Sequence, residues 1–259
     1  MNGIERLHEI MTRLRDPEKG CPWDRIQILS SLKPCVLEET YELLAAMDRP
    51  EDQANYVEEL GDVLMQVLFN IHMEEDAGRF TFDDVTDHIC RKLIFRHPHI
   101  FGDANAGTSE QVLVNWEQLK REEKGIKTTA DAMDSVARSL PALWRADKLQ
   151  SKAAKAGFEF PGMDGALDKL DEEVSELHEA VKSGTNFEEE LGDVLFAAVK
   201  VGRFCGVDPE DALQGTCEKF LSRFRSVEEA AAAQGTSTDR LSVEELTALW
   251  NAAKHPSND

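Results

Sequence analysis

Basic residues are scarce in this 259-residue chain: 29 Lys and Arg stand against 50 Asp and Glu, for a formal net charge of −21. No broad basic face is available to release counterions from a phosphate backbone, so direct nucleic-acid binding is not expected. The five cysteines (Cys21, Cys35, Cys90, Cys205, Cys217) form no CxxC pair and are odd in number. A disulfide framework or a structural zinc site is therefore not expected, and reduced thiols fit a cytosolic protein. No apolar run approaches the roughly 18 residues that a membrane span needs. The opening MNGIERLHEIMTRLRD is amphipathic and lacks a signal-peptide core. These absences predict a cytoplasmic protein that makes no use of a membrane.

Sustained strand-like alternation is also missing. Instead Val57, Leu60, Leu64, Val67, Leu68 and Ile71 recur at steps of three and four, the spacing of one helix face. The pattern predicts helices near 4–15, 30–48, 52–78, 81–97 and 109–124, then 139–156, 164–183, 186–205, 209–234 and 242–254. Turn-forming punctuation separates them: DPEKGCPWD at 16–24, HPHIFGDANAG at 97–107 and GFEFPGMDG at 157–165. KGIKTTADAMDS (124–135) has no clear apolar period and reads as the inter-domain linker. The expected fold is all-α, with domains at 1–124 and 139–259 joined by 125–138.

The string EELGDVL occurs twice, at 58–64 and 189–195. Glu38, Glu39 and Glu42 precede the first copy as Glu172, Glu173 and Glu176 precede the second. Glu59 and Asp62 in the first copy match Glu190 and Asp193 in the second. Further on, Lys92 and Arg96 are matched by Lys219 and Arg223, and Trp116 and Lys120 by Trp250 and Lys254. Four polar groupings in one order, each set spanning about half the chain, indicate tandem duplication of a helical unit.

Residues at i, i+3 and i+4 share a helix face. Each EExxE and each ExxD therefore crowds like charges, which disfavours the helix unless a cation sits among them. If the two helices pack side by side, four or five carboxylates converge. Such hard oxygens suit Mg²⁺ or Mn²⁺, ions that keep waters and also take phosphate oxygens. A lone ExxE is usually only a solvated face; two on successive helices, duplicated with the same flanking glycine, favour a metal site. Gly61 and Gly192 cost about 1 kcal/mol each relative to alanine and would let a helix or a phosphate approach closely. The Lys-x-x-x-Arg pairs suit a phosphate clamp, and the tryptophans could stack on a planar base.

These residues resemble the MazG family of nucleoside triphosphate pyrophosphohydrolases, whose signature is EExxE followed by ExxD. The resemblance runs through GCPWDR (20–25), SLKPCVLEETYEL (31–43), EELGDVLMQVLFN (58–70) and RKLIFRHPHIFGD (91–103). It continues through SLPALWRADKLQSKAAKAGFEF (139–160), KLDEEVSELHEAV (169–181), EELGDVLFAAV (189–199) and EKFLSRF (218–224). It implies tandem all-α domains, a homodimer, and Mg²⁺-dependent hydrolysis of NTPs or dNTPs to NMP and pyrophosphate by water attack at the α-phosphorus. By the same resemblance Glu173, Glu176, Glu190 and Asp193 ligate the metal, while Glu172 and Glu189 orient water or act as general base. Lys169, Lys219 and Arg223 hold phosphates, and Trp250 and Lys254 lie against the nucleotide.

The halves differ. Cys35 stands where the second half has Lys169, so Glu38, Glu39, Glu42, Glu59, Asp62, Lys92, Arg96, Trp116 and Lys120 make the weaker second site. The second half reads Gly157-Phe158-Glu159-Phe160 where the family pattern is GFDW, a departure read as a packing variation. Two other classes compete. A non-catalytic scaffold or nucleotide-binding regulator leaves the repeated carboxylates unexplained. A di-iron bundle needs Glu-x-x-His on two helices, and the only match is Glu5–His8, far from both acidic sets. His97 and His99 read as loop residues.

Overall fold

The computed structural model describes residues 3–103 and 107–254, so part of the predicted turn at 97–107 lies outside the described residues. Twelve α-helices and no strand occur among them. The chain divides into two compact units, Met1–Lys120 and Arg121–Asp259.

In the first unit the helices are α1 (Gly3–Leu14), α2 (Leu29–Met47), α3 (Gln53–Asp76), α4 (Phe82–Arg96), a single turn α5 (Pro98–Phe101) and α6 (Ser109–Glu123), which runs across the boundary. Asp52 caps α3 by accepting from the Asn55 N–H, and Thr81 and Asp84 form a reciprocal capping box on α4. α2 and α3 pair as a hairpin, with α1 laid against α3. The core forms from Met11 of α1, Leu32 of α2, and Leu68, Phe69 and Ile71 of α3. It occupies the C-terminal part of α3, leaving the acidic N-terminal part to the hairpin's other end.

The second unit contains α7 (Thr129–Asp134), α8 (Ala142–Lys155), α9 (Met163–Ser183), α10 (Phe187–Cys205), α11 (Pro209–Ala233) and α12 (Val243–Lys254). α9 and α10 form the counterpart hairpin; its connection uses Gly184 at φ 74° and Asn186 at φ 57°, left-handed conformations that glycine and asparagine tolerate best. Asp208 caps α11 ahead of Pro209 and accepts the Trp144 indole N–H at 2.9 Å, tying α8 to the start of α11. Ala166, Ala180, Ala197 and Val199 are buried here, so the helices meet through small side chains. The segment expected to be a linker carries α7, whose Thr128–Asp131 capping box starts it, and whose Ala132 is buried with Val136 beyond it. That stretch packs on α8.

Candidate active site

Each hairpin brings its acidic motifs together from two helices. In the second unit α9 supplies Glu173 and Glu176 and α10 supplies Glu190; one carboxylate oxygen from each lies within 4.8 Å of the others. Glu173 is only 6% exposed, although nothing in its spacing distinguished it from its neighbours. A buried carboxylate needs a partner. Lys169, one turn earlier on α9, provides it: its Nζ lies 2.6 Å from Glu173 Oε1 and donates to Glu172 Oε1 at 2.8 Å. Both bonds hold the Lys169 ammonium above its usual range, Glu172 contributing most. Glu176 makes no ion pair among the described residues. Its carboxyl is pushed up by desolvation first, then by its hydrogen bond to Glu173 and by the charges of Glu173 and Glu190, against the opposing pull of Lys169.

Asp193, one turn beyond Glu190, lines a cavity of about 660 Å³ together with Glu173 and Lys169. The cavity's other walls are mostly apolar, from Leu149, Phe158, Phe160 and Phe196. Gln150 also lines it; its amide donates to the Phe196 carbonyl at 2.7 Å, while its buried Oε1 has no hydrogen-bond partner. Glu159, in the departure from GFDW, accepts from Lys200 at 2.8 Å and lies 3.6 Å from Arg203. It therefore fastens the 157–162 turn to α10. Sequence spacing gave no hint of that pair, since its members are 41 residues apart.

The remaining proposed residues lie outside the three-carboxylate group and do not line the cavity. Glu189 is exposed in the first turn of α10, beside Phe187 and Glu188. Lys219 and Arg223 stand on α11 and Trp250 and Lys254 on α12, two helices packed mainly on each other. Trp250 rests against Phe220 with ring centroids 5.2 Å apart.

In the first unit Glu39, Glu42 and Glu59 converge in the same way, again within 4.8 Å. With Cys35 in place of a lysine, two carboxyls are pushed up here. Burial is the main cause for Glu39, followed by the charges of Asp62 and Glu42; Gln66 opposes it by hydrogen bonding. Burial also leads for Glu59, followed by Glu42, Asp62 and Glu58. Glu38 is exposed. Lys92 and Arg96 lie on α4, Arg96 buried with its guanidinium 5.3 Å from the Trp116 ring centre, and Lys120 Nζ 4.8 Å from the same ring. Cations thus already stack on Trp116, where a base was expected.

One expectation needs correction. A Cβ built on Gly61 or Gly192 would meet nothing within 4 Å. Close helix approach within either unit is therefore not why the glycines are there.

The donor sets fit an oxygen-preferring divalent ion: three carboxylates converge, with at least one held up in proton affinity by burial and mutual repulsion. A dication among them would relieve both.

Comparison with known proteins bears on these motifs directly. The model of the MazG nucleotide pyrophosphohydrolase domain matches residues 27–101 and again 164–227, one hairpin in each. The nucleoside triphosphate pyrophosphohydrolase of Escherichia coli (strain K12) is 44% identical over 263 residues, covering all of both chains. The nucleoside triphosphate pyrophosphohydrolase/pyrophosphatase MazG of Thermotoga maritima is 42% identical over 97% of this chain and 95% of its own. The uncharacterized protein YabN of Bacillus subtilis (strain 168) is 44% identical over 96% of this chain and 51% of its own.

Proposed function

The chain belongs to the MazG family of nucleotide pyrophosphohydrolases and is a hydrolase of nucleoside triphosphates; from that premise we propose how its own residues divide the work. The main catalytic centre is the α9/α10 cluster, and the α2/α3 cluster is a second, weaker site. The two compact units serve as tandem domains. The observation that carries this reading is the Lys169–Glu173 pair, which the first unit lacks.

Glu173, Glu176, Glu190 and Asp193 would hold Mg²⁺, or Mn²⁺ in its stead. When bound, the ion supplies Lewis-acid neutralisation of the triphosphate charge. Lys169 offers a cation beside the cluster that can turn from Glu172 towards a phosphate oxygen. Glu172, exposed and one residue from the buried Glu173, would take a proton from water. Glu189 is the alternative base on α10. Lys219 and Arg223 would hold the outgoing phosphates, with Trp250 and Lys254 against the nucleoside. Attack at the α-phosphorus releases NMP and pyrophosphate.

Two further proposals concern the setting. Val57, Leu60 and Val67 on the first hairpin and Leu191, Leu195 and Phe196 on the second are exposed. Exposed apolar side chains along a helix ordinarily meet a partner, and a second copy of this chain is the proposed one. A solution mass of a single 29.0 kDa chain would overturn it. Among the described residues no helix is long and apolar enough to cross a membrane, and all five cysteines are free; the proposed location is the cytoplasm.

The reaction is tested in ¹⁸O-labelled water with a panel of NTPs and dNTPs plus Mg²⁺. Label is expected in the NMP. Label in pyrophosphate, or stepwise release of NDP and orthophosphate, would overturn attack at the α-phosphorus.

A further inference from the structure

Away from both acidic clusters, α1 and the C-terminal end of α3 bring together His8, His72 and Glu75. His72 and Glu75 lie roughly 20 to 24 Å along the helix from Glu59, at 1.5 Å per residue. His8 Nε2 and His72 Nδ1 are each 3.5 Å from the same carboxylate oxygen, Glu75 Oε2. One ligand atom from each of the three residues falls within 4.8 Å of the others. The His72 side chain is 8% exposed, and its Nδ1 is buried without a hydrogen-bond partner. A buried nitrogen left in that state calls for an explanation.

A four-coordinate ion supplies one. Nitrogen and oxygen ligands bound at about 2.0–2.2 Å sit roughly 3.3 Å apart around a tetrahedral centre. The two 3.5 Å separations are close to that edge and longer than a good hydrogen bond. The imidazoles meet edge to face at 88°, so their nitrogens approach the carboxylate from different directions. The outer contacts point the same way. Glu75 Oε1 accepts the Phe82 N–H at 2.8 Å, which turns Oε2 towards the histidines. Asp76 Oδ1 lies 3.8 Å from the other His72 nitrogen, and the carboxylate's Oδ2 accepts from Arg15 Nε at 3.3 Å. A carboxylate behind a ligating histidine is the usual means of fixing its tautomer and ring orientation.

We propose that His8, His72 and Glu75 form a site for a borderline transition-metal ion of the Zn²⁺ class, which clips α1 to α3. Two imidazoles and one carboxylate match Zn²⁺ chemistry, whereas Mg²⁺ prefers oxygens throughout. The His8 side chain is 36% exposed, so water can reach the site and would complete the coordination. The clip closes over the junction where Met11 meets Leu68, Phe69 and Ile71. The absence of paired cysteines concealed it: the ligands are 64 residues apart and share no motif.

The test is a Co²⁺ titration of the metal-stripped full-length protein in excess Mg²⁺, which keeps the all-carboxylate clusters filled. Intense visible bands of four-coordinate Co²⁺ are expected, saturating at one ion per chain and displaced by Zn²⁺. His8→Ala, a half-exposed change outside the core, should abolish the bands while circular dichroism and Mg²⁺-dependent hydrolysis persist. Asp76→Asn should keep the bands and weaken affinity about ten- to a hundredfold. Only the faint spectrum of six-coordinate Co²⁺, or bands undiminished in folded His8→Ala, would overturn the site.

Discussion

Lys169 sits where two demands on the second acidic cluster meet. It neutralises the buried Glu173 and restrains the rise in the Glu176 carboxyl. Because that rise is already favoured by desolvation and by Glu173, removing the lysine leaves Glu176 held further up. Lys169→Ala should therefore move the acidic limb of the pH–rate profile to higher pH and slow turnover on the order of ten- to a hundredfold. An unmoved limb with an unchanged rate would contradict the role. The sign for stability follows from the same groups. Glu39, Glu59 and Glu176 are raised on folding, so their contribution is full below the unfolded carboxylate range and is lost as pH rises through their raised values. The metal-free protein should lose thermal stability between mildly acid and neutral pH, and added Mg²⁺ should restore most at the neutral end. A melting temperature independent of Mg²⁺ across that range would speak against ion binding by these carboxylates.

At the scale of the element, the helical hairpin is the repeated device. It presents EExxE from one helix and ExxD from the next, with a glycine between the last two acids. Since no described residue comes within 4 Å of a Cβ built on Gly192, a substrate phosphate would have room there. Gly192→Ala should raise stability by up to about 1 kcal/mol through helix propensity, yet lower turnover at least tenfold; a stabilised and fully active variant would show that nothing approaches there. The ten long helices were legible because apolar periodicity runs through each of them and turn residues interrupt it. The single turn α5 and the six-residue α7 were not, because they are too short to show a period. α7 betrays itself only through Thr128-x-x-Asp131, a capping box without the apolar run that usually follows one. Which acids share a helix face was legible from i, i+3 and i+4 spacing; four or five were expected to converge if the helices paired, and the structure brings three together in each unit. The burial of Glu173 and the Glu159–Lys200 tie were not, since both depend on how α8, α9 and α10 close around the cavity.

On the scale of the whole molecule, duplication has produced two clusters of like geometry in different electrostatic surroundings. A chain of net charge −21 opposes the approach of a triphosphate, so the cluster with its own cation has the advantage. In the first unit Arg96 and Lys120 lie against the Trp116 ring instead. Glu42 and Glu176 occupy matching places in the two motifs; both are exposed, and removing either relieves repulsion, so both alanine variants should fold. The most direct measurement is pyrophosphate release by Glu176→Ala and by Glu42→Ala at saturating Mg²⁺ and NTP. Near-complete loss in Glu176→Ala with most of the rate kept in Glu42→Ala is the predicted result, and the reverse order in folded protein would contradict the assignment of the main site to the second unit.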